Sequence, residues 1–375
     1  MITPFDDFPI HQTPSPVTQP GTSDPNFYDR FYFGGHDAAG TVVFAAAMGL
    51  YPNRNVMDAA FSVVVDGVQH CVFASGPLPR DRHTGIGPIS VEYNEPLRVL
   101  QLLVDDPESG LRAELTFRAR TAAVAEPRQT THREGVLIMD YTRMSQWGTW
   151  SGRISVGDTT LEVSADRVVG VRDRSWGVRP LGDRTPTNLP ARTPQVFWLW
   201  APLHFDDVCT HLAAFELANG FRWLEQAVLV PLLDDPAASP TWGADAPAPQ
   251  LVRNVVHDLT WRPGTREIAR AAICFDTADG PQRMELTPVA TFLQKGIGYG
   301  HPHWLHGRAH GELTVGRETY VLADVDREQY ENVHVQTVCR VTWGDREGVG
   351  ILEQLVLGDH EPSGLTGMYD GWRAG

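Results

Sequence analysis

Ala59-Ala-Phe-Ser-Val-Val-Val-Asp66-Gly67-Val-Gln-His-Cys-Val-Phe-Ala74 sets two β-prone runs back to back across an Asp-Gly pair. Asp-Gly tolerates the left-handed backbone that a two-residue hairpin requires, so residues 59–66 and 68–74 read as adjacent antiparallel strands. The reading extends outward on both sides. Residues 98–104 and 111–120 form a second hairpin around Asp-Asp-Pro-Glu-Ser-Gly, where Leu111, Ala113, Leu115 and Phe117 alternate with Arg112, Glu114, Thr116 and Arg118. A period of two marks strands with one buried and one wet face. Asn219-Gly220 and Asp279-Gly280 repeat the turn signal in the second half, between residues 208–217 and 221–231 and between residues 268–276 and 282–288. Helical periodicity is confined to a short turn near residues 325–332. The pattern predicts an all-β protein of two consecutive antiparallel barrels or curved sandwiches.

With 375 residues, 42% of them hydrophobic, the chain can fill a core in each of two domains. Prolines at 4, 9, 14, 16, 20 and 25 make residues 1–26 an extended arm. The expected domains are residues 27–182 and 183–375, with the boundary in the proline-bearing linker 179–194. Short strands at residues 151–156, 160–164 and 168–171 lead up to that linker, after a polar stretch at 125–133. A formal net charge of -15 argues against nucleic acid as a partner, because phosphate binding draws on clustered Lys and Arg. Lys295 is the only lysine, and no Gly-rich phosphate loop precedes it. Cys71, Cys209, Cys274 and Cys339 lack CxxC spacing and read as reduced core residues. No run of about 18 apolar residues and no signal-peptide pattern is present, so a membrane span is not expected and the location expected is cytoplasmic. Gly-x-Ser-x-Gly and dinucleotide-binding fingerprints are also missing, which removes the usual serine-hydrolase and NAD readings.

Near the middle of the chain Gly170-Val-Arg-Asp-Arg-Ser-Trp-Gly-Val-Arg179 crowds three arginines, an aspartate and a tryptophan between glycines. Arg172, Arg174 and Arg179 would hold Asp173 ionised by charge-assisted hydrogen bonds, with Trp176 as a flat wall. The plain alternative is a structural salt bridge that pins one domain to the next.

This motif, followed by Phe197-Trp-Leu-Trp-Ala201, resembles the AttH and carotenoid 1,2-hydratase (hydroxyneurosporene synthase) group. The resemblance implies two lipocalin-like barrels, a lipophilic pocket at or between them, and cofactor-free chemistry on isoprenoid or polyketide-like substrates. Such chemistry adds water to a double bond or steers polyene cyclisation.

Hydration, dehydration or isomerisation needs a proton donor and a base, together with walls that shelter a cation. The candidate acids and bases are Asp173, Asp37, Tyr51, His301 and His303, and the candidate substrate contacts are Trp176, Trp198, Trp200, Tyr299 and Arg179. Trp198 and Trp200 share one face of a strand, either as cavity walls or as packed core. Asp37, in Gly34-Gly-His-Asp37, is a mouth carboxyl or a turn-forming one. His301 and His303 lie on one face of an extended segment; with Glu312 and His334 they would suit a metal, while a surface cluster is the plain alternative. Glu353 alternates with Ile351 and Leu355, so it should point inward and need a partner, an arginine of the central motif being the obvious one. The function expected is a cofactor-free lyase or isomerase acting on a small lipophilic isoprenoid such as an acyclic terpene alcohol. The rivals are a non-catalytic carrier of a hydrophobic metabolite and a metal-dependent enzyme using His301 and His303. The sequence leaves the oligomeric state open, a homo-oligomer included.

Overall fold

A computed structural model describes residues 2–182, 188–190 and 193–373. The expected domain boundary, between residues 182 and 183, falls at the edge of those residues, and 183–187 lie outside them. The described residues form two antiparallel sheets of 14 and nine strands. The first is a curled half-barrel and the second a nearly closed barrel, so the all-β, two-domain lipocalin-like expectation holds.

The turn chemistry sets the local pairings. Asp66 and Gly67 both adopt positive φ, 49° and 77°, and Val56–Val65 pairs with Val68–Pro77 across them. Val99–Asp106 pairs with Leu111–Ala119, and Ile268–Thr277 with Gly280–Leu293. Two departures stand out. Residues 136–156 form one strand of 21 residues, Val136–Val156, where the sequence signals a strand only from residue 151. Most of its first half is only half buried, so it lacks the apolar alternation that marks a strand in sequence. Thr314–Val321, from the second half of the chain, joins the first sheet by pairing with Val68–Pro77.

The central motif belongs to a regular strand, Val169–Val178, between Phe27–His36 and Val136–Val156. Its glycines are steric requirements. A Cβ at Gly170 would sit 2.0 Å from the Gly34 carbonyl oxygen, and one at Gly177, where φ is 133°, would sit 2.3 Å from that of Asp140.

Strand alternation sorts the interior into three large cores and a small fourth cluster of Tyr28, Tyr51, Val56 and Leu181. Phe31, Phe33, Phe44, Phe117 and Trp150 fill the concave side of the first sheet. Phe197, Leu199, Ala201 and Trp261 fill the second barrel. Tyr32, Trp147, Trp198, Trp200, Ile351 and Leu355 pack in the junction between the sheets. Polar bonds cross this junction: the Tyr32 hydroxyl donates to Gln336 Oε1 at 2.7 Å, and the Gln69 side-chain amide exchanges bonds with the Leu293 backbone at 2.7 and 2.9 Å.

Candidate active site

Because alternate residues of a strand face opposite ways, the motif Arg172-Asp173-Arg174 cannot form one cluster. Arg172 turns to the first core, where it donates to Gln146 Oε1 at 3.0 and 2.6 Å and lies over Phe117. Arg174 takes the same side, stacked 3.8 Å above Phe31 and bonded to Asp29 and to the Arg30 carbonyl. Arg179 lies between Tyr28 and Tyr299. Asp173 points the other way, into the junction, where its cross-strand neighbours are Tyr32 and Ser145. The three motif arginines therefore do not hold it.

Three carboxyls meet in the junction, and two are saturated. Glu126 accepts from Arg143 Nη2 at 2.5 Å, Arg143 Nε at 2.7 Å and the Ser145 hydroxyl at 2.8 Å. Burial pushes its pKa up, but Arg143 and His211 outweigh that and hold it below the ordinary value. Glu353 accepts from Trp198 Nε1 at 2.9 Å and Gln336 Nε2 at 2.6 Å, with His334 Nε2 3.3 Å away. Burial opposes ionisation here too, and the His334 contact and hydrogen bonds prevail. Glu353 faces inward as its alternation predicts, but its partners are a histidine, a glutamine and a tryptophan rather than an arginine.

Asp173 is the third acid. Its carboxyl has no hydrogen-bond partner among the described residues, yet the residue remains partly accessible to solvent. Burial raises its pKa from 3.8 to about 6, Arg143 pulling it down and Glu126 pushing it up. A carboxyl so placed is protonated in part near neutral pH and has its proton free to give.

Aromatic and polar groups frame it. The Arg143 guanidinium lies 5.3 Å from the Trp198 ring, and Trp200 donates Nε1–H to His211 Nδ1 at 3.2 Å while its ring edge meets Tyr32. Tyr299, 40% exposed, stacks on His334 and approaches His306, so it borders the junction from the surface. Asp173, Trp198 and Trp200 thus gather at one junction, with Tyr299 at its edge through His334, whereas Arg179 sits beside Tyr28, Tyr299 and His306. Trp198 and Trp200 lie outside the second barrel, not in its lumen.

Among the remaining candidates, Tyr51 is on the same face of the first sheet as Asp173, since Tyr32 pairs with both Asp173 and Ala47. Tyr51 is fully buried and donates to Asp58 at 3.2 Å, next to the His306–Arg30 contact. Asp58 also accepts from Gly307 N–H, and burial raises its pKa to about 6. Asp37 is bound by its own turn, accepting from the Thr41 and Val42 amides at 2.8 and 3.3 Å and from the Thr41 hydroxyl. His301 is buried, with Nε2 3.0 Å from Glu318, and its Nδ1 accepts the amides of His303 and Trp304. His303 is exposed, so the two rings do not form one ligand pair. No group of three His, Cys, Asp or Glu side chains suited to a metal occurs among the described residues. Trp176, 40% exposed, shares the face of Arg172 and Arg174.

The sequence reading missed Tyr32, Glu126, Arg143, His211 and Gln336. One signal was available: Arg143, Ser145 and Trp147 alternate along a single strand, two polar groups and a tryptophan on one face.

Fold and junction together define a two-domain lipocalin-like protein with an acid-bearing junction between its sheets. The chain belongs to a family of unknown function (DUF8625), whose pattern matches residues 2–366. No curated protein matches it. Among solved structures it is similar to kievitone hydratase from Nectria haematococca, at 10% identity over 87% of this chain and 88% of that one, with a TM-score of 0.50. It is also similar to a protein described as an AttH from Nitrosomonas europaea, at 12% identity over 90% and 98% of the two chains, with a TM-score of 0.51. At these identities the likeness is one of fold.

Proposed function

We propose that the protein is a lyase or isomerase that uses Asp173 as its proton donor on a small lipophilic isoprenoid alcohol or alkene. One observation carries the reading: of the three carboxyls in the junction, only Asp173 is left without a hydrogen-bond partner among the described residues. In dehydration, the Asp173 carboxylic acid gives its proton to the substrate hydroxyl and the C–O bond breaks to release water. The carboxylate left behind takes a proton from the neighbouring carbon, which closes the double bond and restores the acid. Hydration is the reverse. The ring faces of Trp198 and Trp200 shelter the intervening cation, and Tyr299 and Arg179 flank the entrance. Every proton in this cycle moves on a side chain or the substrate, so no cofactor is required. That the fold is shared with a protein named as a hydratase supports the reading.

The test is incubation of the protein with acyclic terpene alcohols and alkenes in deuterated buffer, followed by mass spectrometry. Deuterium on carbon with gain or loss of water is expected. Asp173→Asn should lower turnover by about 10²- to 10⁴-fold, the usual worth of a general acid, while substrate still binds. Because the protonated form is the active one, turnover should fall as pH rises above about 6, and the Asn variant should lose that limb. Binding without turnover in the wild type would identify a carrier instead.

A further inference from the structure

The opposite face of the central strand borders a different space. A cavity of about 980 Å³ lies beneath the N-terminal arm, walled by the arm on one side and by strands carrying Phe31, Leu50, Val91 and Tyr93 on the other, with Arg174 in its lining. Hollows of about 300–1,000 Å³ hold drug-sized ligands. The charges in the wall cancel: Arg82 and Arg174 stand against Asp29 and Glu92. Arg174 spends Nη1 on Asp29 and the Arg30 carbonyl, while its Nε and Nη2 donate to no described residue. A neutral oxygen acceptor could use those donors, whereas a carboxylate would also confront Asp29.

The arm is held differently from the rest of the chain. None of residues 2–27 is buried. Its shape comes from Asp6, which accepts the Thr3 and Val17 amides at 2.7 and 2.8 Å and meets His11 Nε2 at 2.9 Å. Its attachment comes from a few bonds to backbone carbonyls: Arg82 to Thr18, Asn53 to Thr22 and Asp24, and Arg54 to Pro25. A segment fastened by polar contacts, whose most buried side chain is the polar Asp6, opens at low free-energy cost.

We propose that this cavity binds an uncharged, largely apolar molecule bearing a carbonyl or hydroxyl oxygen, and that the arm is the strap that admits and retains it. The site is separate from the junction, since Arg174 and Asp173 face opposite sides of one strand. The experiment uses the full chain and Nile red, an uncharged, carbonyl-bearing dye, in fluorescence titration and stopped flow. Saturable binding is expected, with Tyr93→Ala and Arg174→Met each weakening it roughly tenfold, the scale of one lost wall or anchor. Tyr93 is 45% exposed, so its variant stays informative should Arg174→Met fail to fold. Trp198→Phe, in the junction, should leave dye affinity unchanged. Asp6→Ala should speed both association and dissociation. Absence of saturable binding, or binding weakened by Trp198→Phe but not by Tyr93→Ala, would overturn the site. Unchanged rates in Asp6→Ala would overturn the strap.

Discussion

Arg172 and Arg174 on one face of Val169–Val178, and Asp173 on the other, meet opposite environments although they are adjacent in sequence. On the arginine side the guanidinium groups lie over Phe117 and Phe31, at 5.7 and 3.8 Å from the ring centroids, and Arg174 borders a roomy, charge-balanced hollow. In the junction most polar groups are mutually bonded, and Asp173, like Trp147 Nε1 and His211 Nε2, lacks a hydrogen-bond partner among the described residues. The contrast teaches that a single residue step along one strand separates a roomy hollow from a densely bonded polar junction. The hollow offers volume and weak polarity. The junction offers a carboxyl whose proton is not tied up.

The sharpest way to break this comparison is to remove one arginine from each side. Arg143→Met leaves the buried Glu126 carboxylate without its main partner and should destabilise the fold by about 3–5 kcal/mol in urea unfolding. Arg174→Met loses a pair whose Asp29 partner is 41% exposed and should cost about 1 kcal/mol or less. Equal losses would erase the distinction between the faces.

Next in size is a stability gain. The folded-state pKa of Asp173 is raised from 3.8 to about 6, so its contribution is most favourable below 3.8 and is lost as pH rises through 6. Asp173→Asn should therefore stabilise the protein by up to about 3 kcal/mol at pH 7.5, and by almost nothing at pH 3.5. Thermal melts at the two pH values check this. A variant that loses activity but gains stability is the signature of a group held for function. The smallest effect should come from the strap: Asn53→Ala removes two exposed bonds to the arm and should change global stability by about 1 kcal/mol or less, while limited proteolysis within residues 2–25 becomes faster.

Much of the fold was legible because hairpin dipeptides and period-two patterns are local signals. Asp66-Gly67, Asn219-Gly220 and Asp279-Gly280 announced their turns, and Ile351-x-Glu353-x-Leu355 placed its glutamate on the buried face. What was not legible depends on contacts between residues far apart in the chain. The partners of Glu353 are 17 to 155 positions away, and nothing local points to them. The pairing of Thr314–Val321 with Val68–Pro77 joins segments from the two halves of the sequence. The grouping of Arg172, Asp173, Arg174 and Arg179 misled for a related reason. Proximity in sequence suggested a cluster, whereas strand geometry turns neighbours apart. Histidine density misled likewise: His301 and His303 share a segment, but one ring is buried against Phe73 and the other faces solvent.

The most direct test of the account is the ionisation of Asp173 itself, read as an infrared difference titration of the wild type against Asp173→Asn. The account predicts a carboxylic-acid C=O band that disappears with a midpoint of about 6. A midpoint at or below the ordinary value of 3.8 would mean that the carboxyl is already ionised at working pH, and it would contradict Asp173 as the proton donor.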